Sequence, residues 1–415
     1  MKIVYLSSES SIGRRCAAAT SSRLISAPFP GGMATSAVEV KQHLAVWGGF
    51  LDSYQAHTRY NSPWRFTEGA AQVQPDQPPP LAILFYTDRL RAVVIGDLRS
   101  RDRWHGFGPL GFKLPGLDCL AIEQTCIVTD GTDDAVAAVV THVGTLLQAR
   151  AVQRVEIKNL RSESKLHAEL GKQSVPCSGV QRTTYPRFSR LLRDPETGES
   201  VAYGTAKSHR KRRLRQRALE RAFDDTLEFS VVTSPDQTDA FVQEAAQIVS
   251  HTYQAALNVG INDNAPTRDY LRKLAAEGSL RGYAFRNSDG AIAYAVGDLM
   301  CGTYYLWATS YLPAYAKFSP GIVLLNQVFD ALTAEGVTFF DFGHGDAEYK
   351  RRLGSEEREE QDLCIYGPHL APRLAFAAHN GSDMLRKLAR ATLVRFGLLD
   401  KLRQRRRGML RRAGL

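Results

Sequence analysis

The sequence predicts a mixed α/β (α+β) fold in two lobes, each built on a mixed sheet. Three observations carry that expectation. At 415 residues, 44% hydrophobic and 23% charged, the chain is ordinary globular material, long enough for two or three domains. Apolar runs of strand length alternate with segments of helical period, first as β-β-β-α-β-α and then as α-β-α-α-β-β-β-α-β. The later part of both orders is the same, several strands followed by one helix and one strand, although no repeat is visible residue by residue.

Taken in order, residues 1–36 are rich in Ser, Ala and Arg and nearly free of acids. They read as a disordered extension, as a start upstream of a true start at Met33, or as an organellar transit peptide. The stretch after Arg14-Arg15 is too polar for a signal h-region. The first lobe, 37–200, opens with a helix over Ala37 to Ser53, anchored by Leu44, Val46, Trp47 and Leu51. Gln74 to Pro80 is a stiff proline loop. Leu81 to Tyr86 and Ala92 to Leu98 are strands around a turn at Thr87 to Arg91, and Leu120 to Val128 is a third. Asp130 to Asp134 (DGTDD) supplies turn and cap residues for an amphipathic helix, Ala135 to Ala149. Val152 to Ile157 is a strand and Ser164 to Leu170 a short helix.

The second lobe, 201–370, begins with a basic stretch, Ala206 to Ala222. Leu227 to Val232 is a strand. Pro235 to Leu257 is a helix with Phe241, Ala245, Ile248, Val249 and Tyr253 on one face. Thr267 to Ala276 is a second helix. Leu280 to Arg286 and Ala291 to Met300 are strands around an NSDG turn at Asn287 to Gly290. Thr303 to Ser310 is the next strand. Ser319-Pro320-Gly321 opens a helix to Glu335, and Val337 to Phe342 is a short apolar strand. Cys364 to Tyr366 is a last strand, and 371–415 form a basic amphipathic tail.

Charge is unevenly placed. The net charge is +10. Arg386 to Leu415 holds eleven Lys/Arg and one Asp, and Lys207 to Arg221 holds eight Lys/Arg and one Glu. Those two pieces carry +17, so the remainder is −7. Six cysteines without a CxxC pair suggest neither a zinc site nor a disulfide framework, and a reducing cytoplasm fits them. No window approaches the length of a membrane-spanning apolar run.

The residues that point to chemistry are Phe339 to Gly354, FFDFGHGDAEYKRRLG. A buried strand ends in glycine and then delivers Asp346, Tyr349, Lys350, Arg351 and Arg352 close together. The second-lobe order is that of the GNAT-type N-acetyltransferase fold. Together with KSHRKRRLRQRALE (Lys207 to Glu220), YLPAYAKFSPGIVLL (Tyr311 to Leu325) and FDFGHGDAEYKRRLG (Phe340 to Gly354), it resembles the FemAB/CelD (BcsL)-like acyltransferases, in which two GNAT-like folds pack side by side. The resemblance covers residues 200–366 by motif and 40–190 by element order. It implies a degenerate first lobe, an active second lobe, and acetyl-CoA or another acyl-CoA as co-substrate, with no metal. It also implies an edge for pantetheine at Tyr305 to Ser310, including Trp307, Ala308 and Thr309, and a pyrophosphate site at Lys317, Ser319 and Gly321, where Ser319 can cap and Gly321 allows close approach. The alternative for SPG is a well-made helix start. The chain lacks the full Q/R-x-x-G-x-G/A phosphate loop, which leaves room for an aminoacyl-tRNA donor.

Transfer to an amine needs a base and an acid. Asp346 can serve as base or orient the acceptor, Tyr349 as acid, and Lys350 as oxyanion stabiliser or anion clamp. Asp341 and Arg351 can hold the acceptor. The bland readings are an inward strand acid for Asp341 and packing or solvent for Tyr349 and Lys350. His344 has no assigned role, and the side chains of Tyr305 and Trp307 read as core or pocket wall. Lys207 and Arg210 can bind phosphates of a nucleotide-linked or lipid-linked acceptor, or a tRNA backbone. Otherwise the basic stretch is a solvated helix face with Leu214, Ala218 and Leu219 turned inward. The tail, with Leu385, Leu388, Leu393, Phe396, Leu399 and Leu402 among arginines, suits an anionic membrane surface, a disordered tail or a docked helix. The expected function is N-acyl transfer to an envelope or exopolysaccharide precursor, in the cytoplasm or peripherally at the inner face of the membrane. DNA is not an expected partner. The alternatives are an aminoacyl-tRNA-dependent transferase and a non-catalytic module of a polysaccharide-synthesis complex.

Overall fold

The computed structural model describes residues 1–7, 32–33, 37–54, 61, 80–107, 110–172, 175–202, 206–223, 226–252 and 260–395. The expected loop at Gln74 to Pro80, apart from Pro80 itself, the helix end at Tyr253 to Leu257 and the tail beyond Arg395 lie outside those residues. The chain divides into two compact units, Met1–Tyr185 with Glu359–Gln404, and Pro186–Arg358 with Arg405–Leu415.

In the first unit, β1 (Lys2–Ser7), β2 (Gly32–Met33), β3 (Pro80–Tyr86), β4 (Leu90–Phe107), β5 (Leu110–Thr129) and β6 (Arg154–Arg161) form a sheet in the order β2-β1-β3-β4-β5-β6. Helices α1 (Ala37–Ser53), α2 (Asp133–Gln148) and α3 (Lys165–Lys172) accompany it. The β5–β6 pair is parallel, Cys119↔Arg154 to Glu123↔Lys158, so a crossover is required, and α2 is that crossover. Thr132 caps α2 by accepting from the Ala135 N–H, and Val136, Val139, Val140, Val143, Leu146 and Leu147 bury one face.

Two expectations are corrected here. Lys2–Ser7 is not a disordered extension but a strand, antiparallel to β3, with Val4, Tyr5 and Leu6 buried. Its four-residue apolar run is long enough for a strand once a neighbour satisfies its backbone. The Ala92 and Leu120 strands belong to a longer hairpin whose arms pair as far as Phe107↔Leu110.

The second unit begins within β7 (Gly179–Leu191), a strand the sequence reading missed, since Pro186 interrupts it and Pro is a poor strand interior residue. There follow α4 (Ala206–Arg221), β8 (Glu228–Val232), α5 (Pro235–Ser250), α6 (Ala265–Ala276), β9 (Leu280–Asn287), β10 (Gly290–Met300), β11 (Thr303–Tyr311), a 3-10 turn at Pro313–Phe318, α7 (Pro320–Ala334), β12 (Phe339–His344) and α8 (Glu348–Leu353). The sheet order is β7-β12-β11-β10-β9-β8. Side chains alternate between its faces. Tyr283, Phe285, Tyr304, Leu306, Phe340 and Phe342 pack with Val328 and Phe329 of α7. Ala284, Tyr294, Val296 and Trp307 pack with Phe241 and Ile248 of α5 and Leu271 of α6. Asn264 caps α6 through its side chain, accepting from the Thr267 N–H at 2.9 Å. Of the three apolar residues expected inward on α4, only Leu219 is buried, while Leu214 and Ala218 are exposed.

The chain returns to the first unit through β13 (Glu356–Tyr366), which pairs antiparallel with β6 and extends the expected Cys364 strand to eleven residues. It ends, among the described residues, in α9 (Leu370–Arg395).

Candidate functional site

The parallel ladder between β11 and β12 has three pairs, Thr303↔Phe339, Tyr304↔Phe340 and Tyr305↔Asp341. It stops there, although β11 continues to Tyr311 and β12 to His344. The cause sits on the other side of β11. Val296 pairs with Ala308 and Gly297 with Leu306, so Trp307 is an extra residue, a bulge that bends β11 away from β12. Gly297 permits it, since a Cβ there would collide with the Tyr305 carbonyl oxygen. The bulged side chains are held on the β10 side. Trp307 Nε1 donates to Asp298 Oδ1 at 2.7 Å, its ring lies 5.2 Å from that of Tyr270, and Thr309 Oγ1 donates to the Tyr294 carbonyl at 2.8 Å. Trp307 and Thr309 thus turn side chains toward the fold, and what the opening can use is the β11 backbone.

At the far end of β11 the chain enters α7. Ser319 is in the left-handed region (φ 54°, ψ 51°) and makes no side-chain cap, which corrects the expected role of its hydroxyl. Its carbonyl instead accepts from the Ile322 and Val323 N–H groups at 3.0 and 3.2 Å. Pro320 has no N–H to offer. The first turn of α7 carries no acid. Gly321 lies against Tyr311, where a Cβ would come within 3.1 Å of the ring. Lys317 is exposed, its Nζ 4.8 Å from the Phe318 ring centre.

Beyond Asp341 the strand parts from β11 but still pairs with β7 at His344↔Arg187 after a register shift, and Gly343 and Gly345 both take positive φ. Asp341 is buried and bonded on several sides. It accepts from Arg187 Nε at 3.1 and 2.9 Å, from Arg358 Nη2 at 3.3 Å and from the Gly343 N–H at 2.7 Å. Lys350 is also buried, and its Nζ donates to the His344 carbonyl at 2.7 Å, tying the turn shut. Burial pushes the Lys350 pKa below that of an ordinary lysine, against the pull of Asp341. Burial, helped by Asp341, raises that of Tyr305. Asp341, Tyr305, Lys350 and Arg187 therefore form one polar cluster beside the opening. Arg187 and Arg358 escaped the sequence reading because one lies on the missed strand and the other in an acidic run, EEREE.

Asp346 is different. It is exposed and paired with Arg351 at 2.5 Å, which engages both groups with each other. Tyr349 packs edge-on against Phe342 at 6.3 Å. Lys207 and Arg210 are exposed on α4, which Arg212 joins to Asp330 of α7 at 3.2 Å. Arg215 of α4 also feels the charge of Arg352, so the two basic clusters come near one another.

Residues 207–351 match the acetyltransferase (GNAT) domain model. No curated protein sequence matches the chain. Among solved structures, FemX aligns with a TM-score of 0.52 at 11% identity, over 81% of this chain and 97% of that one. A conserved protein of unknown function from Bacteroides thetaiotaomicron aligns at 0.49, with 10% identity over 78% and 97%. The C-terminal DUF2156 domain of a lysylphosphatidylglycerol synthetase-like protein from Agrobacterium fabrum aligns at 0.46, with 14% identity over 82% and 96%. At such identities the likeness concerns the fold, and the FemX score is high enough to bear on it. The architecture is a tandem of GNAT-like mixed sheets.

The first unit repeats the GNAT frame with different chemistry. Gly96 occupies the place of Gly297, opposite a register jump in β5, and a Cβ there would meet the Ala121 carbonyl at 2.9 Å. Asn159, at φ 55°, follows the last β5–β6 pair much as Gly343 follows the last β11–β12 pair. Its N–H donates to Asp362 Oδ1 at 3.0 Å, and the Tyr185 hydroxyl bonds Asn159 Oδ1 at 2.7 Å and Asp362 Oδ1 at 2.6 Å. The α2 start is closed to an anion. Thr132 caps it, and Asp133 and Asp134 stand in its first turn. That contrast with α7 separates the two units electrostatically.

Proposed function

We propose that the second unit is an acyl-CoA-dependent N-acyltransferase whose acceptor is a precursor of the cell envelope or of an exopolysaccharide, in keeping with the FemAB/CelD resemblance. The observation that carries the reading is the early end of the β11–β12 ladder beside a helix start free of acids. In this reading the β11 backbone from Trp307 to Thr309 pairs with the pantetheine amides. The Gly321 N–H and Lys317 take the pyrophosphate. The thioester carbonyl sits where the strands part. A neutral amine attacks it, the N–C bond forms as the C–S bond breaks, and the thiolate leaves with a proton. Asp346 is the candidate base, with Arg351 beside it, and Tyr349 the candidate acid. Lys350 acts by positioning, since it fixes the turn that carries both. Arg187, Arg358 and Lys350 gather around Asp341, and such a group of cations would suit an acceptor with an anionic group.

A second reading has its own support. α4 exposes Lys207, Arg210, Lys211, Arg213 and Arg217, and an aminoacyl-tRNA donor would meet such a face through its phosphates.

The test is calorimetry with acetyl-CoA on the wild type and on Gly321→Trp, whose indole would run into Tyr311. Saturable binding lost in the variant supports the CoA reading. An acceptor screen then follows, with Asp346→Asn and Tyr349→Phe expected to lose turnover while still binding the donor. A wild type that ignores acyl-CoA yet retains charged tRNA in a salt-sensitive way overturns the first reading for the second.

A further inference from the structure

Among the described residues, helix α9 is anchored by one side only. Ala375 is buried, Phe376 packs on Tyr366 with ring centres 5.4 Å apart, Gln181 donates to Asp383 Oδ2 at 3.0 Å, and Pro372 and Ser382 face inward. At 100° per residue these side chains fall on one side of the helix. The opposite side carries Leu370, Leu374, Ala377, Gly381, Met384, Leu385 and Leu388. All seven are exposed, and the five large ones are each more than half exposed, from 54% at Leu388 to 73% at Leu370. The stripe runs for about 27 Å along the helix. A continuous exposed apolar face of this length calls for an occupant.

Charge selects among occupants. Arg373 and Lys387 flank the stripe and Arg395 follows it. Residues 396–415 add seven Lys/Arg against Asp400 alone. A second copy of the same helix would bring like charges together. An anionic bilayer answers both features, taking leucines into its interface and cations onto its headgroups. No described helix is long and apolar enough to cross a membrane, so contact would be along the surface.

We propose that α9 lies flat on an anionic lipid bilayer, apolar face down, and that the contact starts at Leu370 rather than at the extreme C-terminus. This is independent of which acyl donor the second unit uses.

The full-length protein is sedimented with vesicles of phosphatidylcholine alone and of phosphatidylcholine mixed with phosphatidylglycerol. The expected result is binding to the mixed vesicles, weakened by salt, with little binding to the neutral ones. Leu374→Asp combined with Leu385→Asp should lower the partition coefficient about tenfold or more, with the circular dichroism spectrum and thermal transition unchanged. Lys387→Glu should lower it less and remove part of the salt dependence. Wild type that stays in the supernatant overturns the proposal, as does a double variant that binds as well as the wild type. Self-association in the ultracentrifuge that the double variant abolishes, without vesicle binding, assigns the face to a second copy. A marked loss of thermal stability in the double variant assigns it to another segment of the same chain, and also overturns the proposal.

Discussion

Gly297→Ala is a compact test of how the opening is made. The added methyl group would collide with the Tyr305 carbonyl oxygen and approach Tyr305 C and Tyr304 Cζ at 2.9 Å each. Two of the three obstacles are backbone, so no rotamer change relieves them. Restoring ordinary contact needs a shift of more than about 1 Å, and a packed interior resists such a movement. The movement disrupts the flanking pairs Gly297↔Leu306 and Val296↔Ala308. At about 1 kcal/mol for each net hydrogen bond, with an overpacking cost of about 1–3 kcal/mol, the loss should be about 2–4 kcal/mol. The assay is urea unfolding followed by tryptophan fluorescence, since Trp307 is the bulged residue. Acetyl-CoA calorimetry on the folded variant runs beside it, with a clear loss of affinity expected. Gly381→Ala is the control, a helical glycine with nothing within 4 Å of the added methyl, and should gain about 0.5–1 kcal/mol. If Gly297→Ala unfolds within about 0.5 kcal/mol of the wild type and binds as well, the bulge is not set by close backbone approach and the reasoning fails.

Other expectations follow from groups elsewhere. Asp341→Asn leaves Arg187 and Arg358 without their carboxylate in a buried cluster and should cost about 3–5 kcal/mol, so a cost under about 1 kcal/mol in urea unfolding would remove its keystone role. Tyr185→Phe removes a hydroxyl that bonds Asn159 and Asp362, and should cost about 1–2 kcal/mol without changing donor affinity, if the first unit has no part in binding CoA. Burial lowers the His142 pKa from 6.5 to about 4, with Nε2 2.6 Å from the Tyr5 hydroxyl. The unfolded chain then takes up a proton that the folded one refuses, so this contribution is intact above pH 6.5 and is lost as pH falls toward 4, by about 3 kcal/mol in all. A His142→Gln variant should lose that part of the pH slope in thermal melts, and an unchanged slope would show that His142 does not supply it.

Much of the second unit was legible because its signals are local. The NSDG turn between β9 and β10, the SPG entry to α7 and the apolar run into Asp341 each mark themselves within a few residues. An edge at Tyr305 to Ser310 was expected from resemblance, while the device that frees it, Gly297 facing an extra residue at Trp307, depends on register between strands and leaves no mark in either strand alone. Arg187 could not be paired with Asp341 from sequence, because they stand 154 positions apart and no local pattern links them. Pro186 hid β7, and an arginine-rich, serine-rich neighbourhood hid the IVYL of β1. Ser319 read as a cap because serine usually caps, but its backbone here adopts a left-handed bend, from which the carbonyl makes the bonds instead. Asp346 was singled out in the sequence by the residues that follow it, and the structure adds a partner that reading did not name, the Arg351 guanidinium.

The route of the chain has a consequence for synthesis. Residues 186–358 stand in the sequence as an insertion, and the first unit resumes only at Glu359. Its sheet therefore lacks β13, with Leu363 and Ile365 of its core, until more than three hundred further codons after β1 have been read. On the ribosome the inserted unit can close first, since its own strands are contiguous, while the earlier-made half waits with the edge of β6 unpaired. Late in translation that edge is the segment a chaperone would meet. A premature stop near residue 358 would leave the strands β8 to β12 of the later-synthesised unit all made, and the earlier sheet open at β6.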